Sequence, residues 1–399
     1  MISMAARRSS VHNIPGARCT TMRLRLLAIP FVTGVCALGV RLGAQADLGD
    51  LSMFSPLPLV APAPSDNPTT PAKVALGRLL FWDPILSGAG DTACATCHHP
   101  SQGYADGRQL PIGTGGRRIG PARTFQGQAP VVKRNSPTVL NAAFNGLVDL
   151  AVPLNAADAP MFWDVRTHGL EAQALAPIDS LEEMRGGSVS AGAGVAAAVE
   201  RIAKVKQYRE LFAAAFGGPD AITPGSVSRA IAAFERTLIT PDSPFDRYLR
   251  GDRTAMKAGA LRGMAALRDG GCMGCHKGPM FSDYQVHALG VADHPDVDPP
   301  DTGVGGRNAF RTPSLRNVTI TAPYMHNGTV DYLSAAVGFY QRLGDRNRRI
   351  PRGQLDPLLN DVSLGSRLWD LVDFLESLEG TFDKSIPARV PSGLKPGGR

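Results

Sequence analysis

The spacing of apolar residues along the chain predicts a mostly helical fold. Between residues 195 and 216 apolar side chains recur every three or four positions and a glycine pair follows, which is typical of one long amphipathic helix. The positions concerned are Val195, Val199, Ile202, Tyr208, Leu211 and Phe212. Capping residues and apolar stripes predict further helices over 70–81, 223–238, 254–268, 330–342 and 366–378. No segment alternates apolar and polar residues convincingly, so the predicted fold class is all-α, mostly helical with long loops.

The first 46 residues have the composition of an export signal. Arg23 and Arg25 precede an apolar run over 26–40, and Ala44-Gln45-Ala46 places small residues around a cleavage position. A membrane anchor is the alternative, but the run is shorter than the ~20 apolar residues that span a bilayer, and no stop-transfer pattern follows it. We therefore expect a periplasmic protein that has no integral membrane span after cleavage.

The positive net charge of the chain lies in this leader. The 399 residues carry a formal charge of +7, and residues 1–46 contain six arginines but neither lysine nor acid. The rest of the chain holds 36 basic and 35 acidic residues. A nearly neutral chain lacks the basic surface of a nucleic-acid-binding protein, so no nucleic-acid partner is expected.

Four of the six cysteines occur in two copies of one motif, and the other two lie in the leader. The copies are Cys94-Ala95-Thr96-Cys97-His98 and Cys272-Met273-Gly274-Cys275-His276. Cys-x-x-Cys-His is the pattern of c-type haem attachment. Two thiols one helical turn apart reach the two vinyl groups of a porphyrin, and the imidazole that follows binds the iron. The sequence therefore predicts two covalent haem c groups, with His98 and His276 as iron ligands.

Three other uses of paired cysteines fit less well. A disulfide needs no histidine, yet a histidine follows both pairs. A structural zinc site joins cysteine pairs that lie closer together than the 178 residues between these two. A thioredoxin-like redox pair belongs to an α/β pattern, which this sequence does not show.

The two motifs divide the chain into two halves with the same plan of helix, haem motif, long loop and helix. We predict a cytochrome-c-like domain around one haem in each half, over 72–240 and 241–383. Six prolines between 54 and 71 make residues 47–71 a proline-rich linker. Residues 384–399 are expected to form a frayed tail.

The order of several further motifs resembles the bacterial dihaem cytochrome c peroxidase family, including its MauG-like branch. The resemblance covers about residues 70–380. It is carried by LGRLLFWDP at 76–84, the first haem motif, RNSPTVLNA at 134–142, FWDVR at 162–166, LEAQA at 170–174, Glu183-Met184, FRTPSLRN at 310–317 and TAPYMHNG at 321–328. The resemblance implies an enzyme with two helical haem domains, a calcium ion between them, and a peroxide site at the N-terminal haem.

Three residues match family positions that take part in the reaction. Glu183 and Gln173 correspond to a Glu and a Gln on the open face of the N-terminal haem, and Trp163 corresponds to a tryptophan between the two haems. A carboxylate near the iron can take a proton from the inner peroxide oxygen and deliver it to the leaving oxygen. An amide donor can orient the peroxide. We expect Glu183 and Gln173 to act on peroxide and Trp163 to relay an electron.

The resemblance also implies a set of calcium ligands. Asn135, Thr321 and Pro323 match the family positions, the last two through their backbone carbonyls. Hard oxygen donors suit calcium, and the carbonyl is the one polar group that a proline offers.

Two departures from the ordinary peroxidases concern the iron ligands. Family members that need reductive activation cap the N-terminal haem with a loop histidine, but this chain has Thr114 there, within 111–116, so we expect an open, high-spin haem. The sixth ligand of the C-terminal haem is Met in ordinary members and Tyr in the MauG-like branch. Tyr340 matches this position, with Met325 as the rival ligand, and the plainer alternative is that Tyr340 is a core residue.

Three functions are compatible with the sequence. The first is a periplasmic dihaem peroxidase that reduces hydrogen peroxide to water with electrons from a small cytochrome c or a copper protein. The second, favoured by Thr114 and Tyr340, is a MauG-like oxidase that modifies a protein or organic substrate through high-valent iron. The third is a dihaem electron carrier without enzymatic activity, against which Glu183 and Gln173 argue.

We predict that Tyr340→Met changes the spectrum of the C-terminal haem alone, because a thioether would replace a phenolate on that iron. The measurement is the absorption and electron paramagnetic resonance spectrum of the resting protein, compared with the wild type. A spectral shift confined to the N-terminal haem would refute Tyr340 as the ligand.

Overall fold

Ten α-helices dominate the part of the chain that the computed structural model describes, which is residues 51–125, 131–342 and 346–398. They are α1 Pro71–Trp82, α2 Cys94–Cys97, α3 Leu170–Asp179, α4 Gly194–Lys204, α5 Lys206–Phe216, α6 Pro224–Glu235, α7 Pro244–Leu249, α8 Ala258–Asp269, α9 Leu333–Phe339 and α10 Leu368–Glu376. The predicted mostly helical fold with long loops is confirmed. None of these helices has both the length and the apolar character needed to cross a bilayer. The predicted export signal lies outside the described residues.

Regular strands are few and short within the described ranges. Strand β1 (Pro160–Met161) pairs antiparallel with β2 (Thr167–His168), so that Pro160 lies opposite His168. Strand β3 (Val286–His287) pairs in the same way with β4 (Phe310–Arg311), and Val286 lies opposite Arg311. Each strand pair lies in the long loop region that follows one of the two haem motifs.

The predicted helix over 195–216 is divided into α4 and α5, so the prediction of one helix was wrong. Val205 lies between the two helices in an extended conformation, with φ −89° and ψ 114°. The break changes the direction of the chain, and Ile202 of α4 and Phe212 of α5 are both fully buried in the same apolar core. Helical periodicity alone did not reveal the break, because the apolar spacing continues across it.

Each half of the molecule is built around a pair of helices that cross at a glycine. In the N-terminal half a Cβ on Gly77 of α1 would lie 1.8 Å from the carbonyl oxygen of Ala230 on α6. In the C-terminal half a Cβ on Gly263 of α8 would lie 1.8 Å from the carbonyl oxygen of Asp370 on α10. Only glycine permits this close approach of two helix backbones. The two halves therefore share the same type of close helix crossing.

Residues 51–71 of the proline-rich segment pack against both halves. Phe54 is 7% exposed and contacts the ring of Phe245 in the C-terminal core, with 6.0 Å between ring centroids. Farther along, the Asn67 amide donates to Oε1 of Glu171 on α3, in the N-terminal half, at 2.7 Å. The segment therefore joins the two halves rather than acting as a free spacer.

The C-terminal tail was expected to be frayed, and this expectation is wrong for residues 384–398. The Ser392 hydroxyl donates to Oδ1 of Asp83 at 2.6 Å, and Val390 is buried. The Thr96 hydroxyl, inside the first haem motif, donates to the carbonyl of Gly397 at 2.7 Å. The tail returns from the C-terminal half and satisfies polar groups around α1 and α2, a long-range contact that its local composition does not reveal.

We predict that Gly77→Ala destabilises the protein, because the added methyl group would force α1 and α6 apart. Overpacking of this kind costs about 1–3 kcal/mol. The measurement is the thermal unfolding midpoint of the haem-loaded protein. Gly225→Ala, in the partner helix α6 but with the nearest atom 3.8 Å from the added Cβ, is the control and should be neutral or slightly stabilising. Equal midpoints for Gly77→Ala and Gly225→Ala would contradict the close crossing.

Candidate active site

A cavity of about 480 Å³ opens beside the first haem motif in the N-terminal half. Its walls include all three residues of the attachment motif that bind haem, Cys94, Cys97 and His98. The same walls include Gln173 from α3 and Glu183 from the π-helical turn Leu181–Arg185 that follows α3. The fold therefore brings the two predicted peroxide-binding residues to the first haem motif, although 76 residues separate Cys97 from Gln173 in the sequence.

Both motif histidines are oriented by a backbone carbonyl. Nδ1 of His98 lies 3.1 Å from the carbonyl oxygen of Tyr104, and Nδ1 of His276 lies 2.9 Å from that of Phe281. A carbonyl can only accept, so each Nδ1 carries the hydrogen and each Nε2 is left as the ligand atom. Burial lowers the pKa of both rings, which keeps them in the neutral form that binds a metal.

The Glu183 carboxyl lies in an environment that favours its neutral form. Burial raises its pKa, the negative charge of Glu182 adds to the effect, and the positive charge of Arg166 opposes it. The Glu183 backbone is fixed because its carbonyl accepts a hydrogen bond from the amide of Thr114 at 2.8 Å. A carboxyl with a raised pKa is a stronger base once ionised, so it can accept a proton and return it.

Thr114, at the position where some family members carry a capping histidine, is 8% exposed and bonded away from the cavity. Its hydroxyl donates to Oδ1 of Asp91 at 3.3 Å, while the neighbouring Pro111 and Gly113 line the cavity wall. The Thr114 side chain is directed to Asp91 and is not part of the cavity lining, and the open haem stays a prediction.

A second cavity, of about 190 Å³, lies beside the second haem motif and is lined by Cys272, Cys275 and His276. Both candidate sixth ligands, Tyr340 at the end of α9 and Met325, line it. Met325 also lines the first cavity, whereas Tyr340 belongs to the second cavity alone. Burial raises the pKa of Tyr340, so a phenolate at this position requires a cation such as ferric iron.

Trp163 stands in the wall that the two cavities share. Its indole nitrogen donates to the carbonyl of Asn135 at 2.9 Å, and its own carbonyl accepts from the amide of Arg311 at 2.7 Å. The residues on both sides of the Trp163-Asp164 pair, Phe162 and Val165, have positive φ values of 63° and 55°. Non-glycine residues in this region are strained, and such strain concentrates at functional sites. The indole is thus held rigidly between the cavities.

The predicted calcium ligands converge on one region. Asn135, Thr321 and Pro323 all line the first cavity, although the first is 186 residues from the second in the sequence. The Asn135 amide nitrogen donates to the carbonyl of Arg108 at 2.8 Å, which fixes the orientation of the side chain.

Buried cations around both cavities fit the carboxylate groups that a haem carries. Arg311 is 7% exposed and lines both cavities. Arg316 is 2% exposed and lines the first, and its Nη2 has no hydrogen-bond partner among the described residues. Nη1 of Arg316 pairs with the buried Asp246 at 2.6 Å, so its charge is compensated, and the unpartnered Nη2 fits one further acceptor group because unpaired buried donors are costly. Together with the cysteines and oriented histidines, they fit two covalent haems.

The sequence analysis did not identify a carboxylate-histidine cluster at the second cavity. Nδ1 of His287 lies 2.6 Å from Oδ2 of Asp356, and its Nε2 lies 3.0 Å from Oδ2 of Asp283. The hydrogen bonds to these two carboxylates, that of Asp283 above all, raise the pKa of His287. Cys275 is close enough to complete a metal-binding group, but it belongs to the haem motif and both ring nitrogens are engaged. Only the fold brings residue 356 to this place.

Two cavities with a shared wall, each beside a Cys-x-x-Cys-His motif with an oriented histidine, are the arrangement typical of a protein with two c-type haems. Residues 71–254 match the family model of the di-haem cytochrome c peroxidases. This chain belongs to that family, as the sequence motifs predicted, and is an oxidoreductase.

Its relatives include proteins of both kinds that the sequence resembles. The chain is 35% identical to the methylamine utilization protein MauG of Methylorubrum extorquens, over 87% of this chain and 88% of that protein. It is also 35% identical to the cytochrome c551 peroxidase of Pseudomonas aeruginosa, over 84% of this chain and 88% of that one. A solved MauG-like protein associated with microbial copper homeostasis superposes with a TM-score of 0.66 at 26% identity, covering 83% of this chain and 96% of that one.

We predict that Glu183→Gln slows the reaction of the all-ferric protein with peroxide by at least ~10-fold, because an amide cannot accept the peroxide proton. Since burial raises the Glu183 pKa, the wild-type rate should fall as pH drops through a midpoint above the ordinary Glu value of about 4.3. The variant should lose this dependence. Glu182→Gln, at the neighbouring cavity-lining acid, is the control: it should keep the pH dependence, with the midpoint moved down because the Glu182 charge no longer raises the Glu183 pKa. A Glu183→Gln rate equal to that of wild type would remove Glu183 from the mechanism.

Proposed function

We propose that this chain is a periplasmic dihaem peroxidase. It reduces hydrogen peroxide to water at the N-terminal haem, and electrons from a small cytochrome c or a copper protein arrive through the C-terminal haem. The observation that carries the proposal is the presence of Glu183 and Gln173 in one cavity wall with the first haem motif. A pure electron carrier has no use for an acid-base group and an amide donor over an open iron.

The residues of the first cavity have separate roles in cleaving the O–O bond of peroxide. Haem iron, when bound at His98, supplies the site where peroxide is polarised. Glu183 accepts a proton from the inner oxygen and returns it to the leaving oxygen, and the Gln173 amide donates a hydrogen bond that orients the peroxide. Over a full cycle one O–O bond breaks, two electrons and two protons are taken up, and two water molecules form.

Trp163 relays electrons between the haems in this proposal. Its place in the shared wall and the two hydrogen bonds that fix it support the assignment. A calcium ion held by the side chain of Asn135 and the carbonyls of Thr321 and Pro323 would stiffen the same region. Calcium prefers such oxygen ligands, and the three residues share one cavity.

The periplasmic location rests on the leader sequence and on the two haem-attachment motifs of the chain. The assignment of 72–240 and 241–383 to one haem domain each is supported by the two glycine crossings, one in each half. Both assignments are part of the proposal.

A MauG-like oxidase that acts on a protein or organic substrate is the second candidate. Tyr340 in the wall of the second cavity favours it, because phenolate ligation stabilises oxidised iron at the C-terminal haem. The hydrogen bond of Thr114 to Asp91 supports an uncapped first haem and so favours this candidate as well.

The two candidates are separated by rapid mixing of the all-ferric, haem-loaded protein with peroxide, followed by addition of a reduced small cytochrome c. We expect a spectral change without prior reduction, because no capping histidine has to leave the first iron. For a peroxidase, the reduced cytochrome is then oxidised continuously, with two equivalents consumed per peroxide.

The other outcomes have distinct meanings. A spectral change spread over both haems, without oxidation of the added cytochrome, would favour the MauG-like function. Two low-spin, six-coordinate haems that stay inert to peroxide even after one-electron reduction would leave only the electron carrier and would refute the proposal.

A further inference from the structure

We propose that Arg123 is the positioning residue that holds Glu183 over the N-terminal haem site, acting through the loop 111–116. This inference rests on the proposed peroxidase function and adds the hydrogen bonds that hold the loop beside the peroxide site in place. The loop is the stretch in which activation-dependent family members carry their capping histidine, so its rigidity decides whether the site is ready in the resting protein.

The loop touches the Glu183 turn through its backbone. The Thr114 amide donates to the Glu183 carbonyl at 2.8 Å. A Cβ on Gly113 would lie 2.0 Å from the carbonyl oxygen of Glu182 and 2.4 Å from that of Glu183. No side chain intervenes between the two backbones, so a displacement of the loop is transmitted directly to the turn that carries the carboxyl.

Arg123 binds the loop through two of its guanidinium nitrogens and the chain just after the loop through the third. Its Nε donates to the carbonyl of Ile112 at 2.7 Å, Nη2 to that of Gly113 at 2.6 Å, and Nη1 to that of Arg118 at 2.7 Å. The side chain is 2% exposed. A Cβ on Gly116 would lie 2.5 Å from Nε, so the loop wraps closely around the guanidinium. The planar fork of an arginine directs five N–H donors from three nitrogens at separate carbonyls in fixed directions, whereas the three donors of a lysine all radiate from one nitrogen.

The same guanidinium ties the loop to the haem-attachment segment. Nη2 also donates to the hydroxyl of Thr92, two residues before Cys94, at 3.1 Å. The Thr92 hydroxyl donates in turn to Oδ1 of Asp91 at 2.9 Å. Oδ2 of Asp91 accepts from the amide of Gly115 at 2.7 Å. The loop is therefore held at both ends against the segment that fixes the porphyrin.

This arrangement explains how a glycine-rich loop can position a catalytic group. Glycines give the loop little conformational preference of its own. The four hydrogen bonds of Arg123 go to uncharged oxygens of three different parts of the chain, residues 92, 112–113 and 118. Burial lowers the pKa of Arg123, yet an arginine remains charged in proteins and its bonds persist at all working pH values.

The test compares Arg123→Lys with Arg117→Lys, the same change at an exposed arginine of the adjoining segment. The first readout is hydrogen exchange of the peptide containing the Thr114 and Gly115 amides, measured on the haem-loaded protein without peroxide. We expect amide exchange at least ~10-fold faster in Arg123→Lys and unchanged in Arg117→Lys. Only Arg123→Lys removes the guanidinium that donates hydrogen bonds to the loop.

The second readout is the pH profile of the peroxide reaction of the all-ferric protein. In Arg123→Lys the rate should fall at least ~10-fold, and the midpoint assigned to Glu183 should move down toward the ordinary Glu value as water reaches the carboxyl. A purely structural role would lower the amount of active protein without moving this midpoint. Arg166 and Glu182, the charged groups that act on Glu183, are left unchanged.

Wild-type amide exchange together with a wild-type pH midpoint in Arg123→Lys would overturn the inference. If Arg123→Lys does not accumulate as haem-loaded protein, Asp91→Asn tests the same clamp, since it keeps the size of the side chain and removes one acceptor oxygen. A wild-type protein that does not react with peroxide would refute the proposed function instead. The exchange readout would still decide whether Arg123 holds the loop.

Discussion

The hydrogen bond from each motif histidine to a backbone carbonyl sets the geometry on which the rest of the protein depends. His98 and His276 sit at the ends of short turns, and the carbonyls of Tyr104 and Phe281 fix the plane of each ring. The two cysteines and the Nε2 atom of each motif would then determine where a haem binds in each cavity. The other candidate functional groups, including Glu183 and Tyr340, have to be placed relative to the two imidazole rings. Within each half, one glycine crossing keeps the helices that support these groups close-packed.

The wall between the two cavities combines a rigid aromatic residue with buried positive charge. Trp163 belongs to both cavity walls, is bonded to Asn135 from the N-terminal half and to Arg311 from the C-terminal half, and lies in a strained segment. Arg311 and Arg316 bring buried positive charge to the same region. A rigid aromatic group between two buried sites suits electron transfer, whereas buried cations suit the carboxylates of haem. The two cavities are thus connected through a shared wall and are not independent pockets.

The comparison of sequence and structure separates local from long-range information. Helix α1 begins at Pro71 after the Thr70 cap, as the local residues predicted. The interruption between α4 and α5 at Val205 escaped prediction, because the apolar residues on both sides serve one core and keep the same spacing. The packed tail escaped for a related reason: its partners, Asp83 and Thr96, lie about 300 residues earlier in the chain.

The sequence by itself determined the attachment of two haems, because covalent attachment needs two thiols and an imidazole at a fixed local spacing. Together with the family resemblance, it also supplied the candidates Glu183, Gln173, Trp163 and Tyr340. Only the tertiary structure decided that Glu183 and Gln173 share a cavity with the first motif, that Thr114 is bonded to Asp91, and that Arg123 holds the loop beside Glu183. These contacts join residues far apart in the chain, and their strength comes from burial and from hydrogen-bond directions, which exist only once the chain has folded.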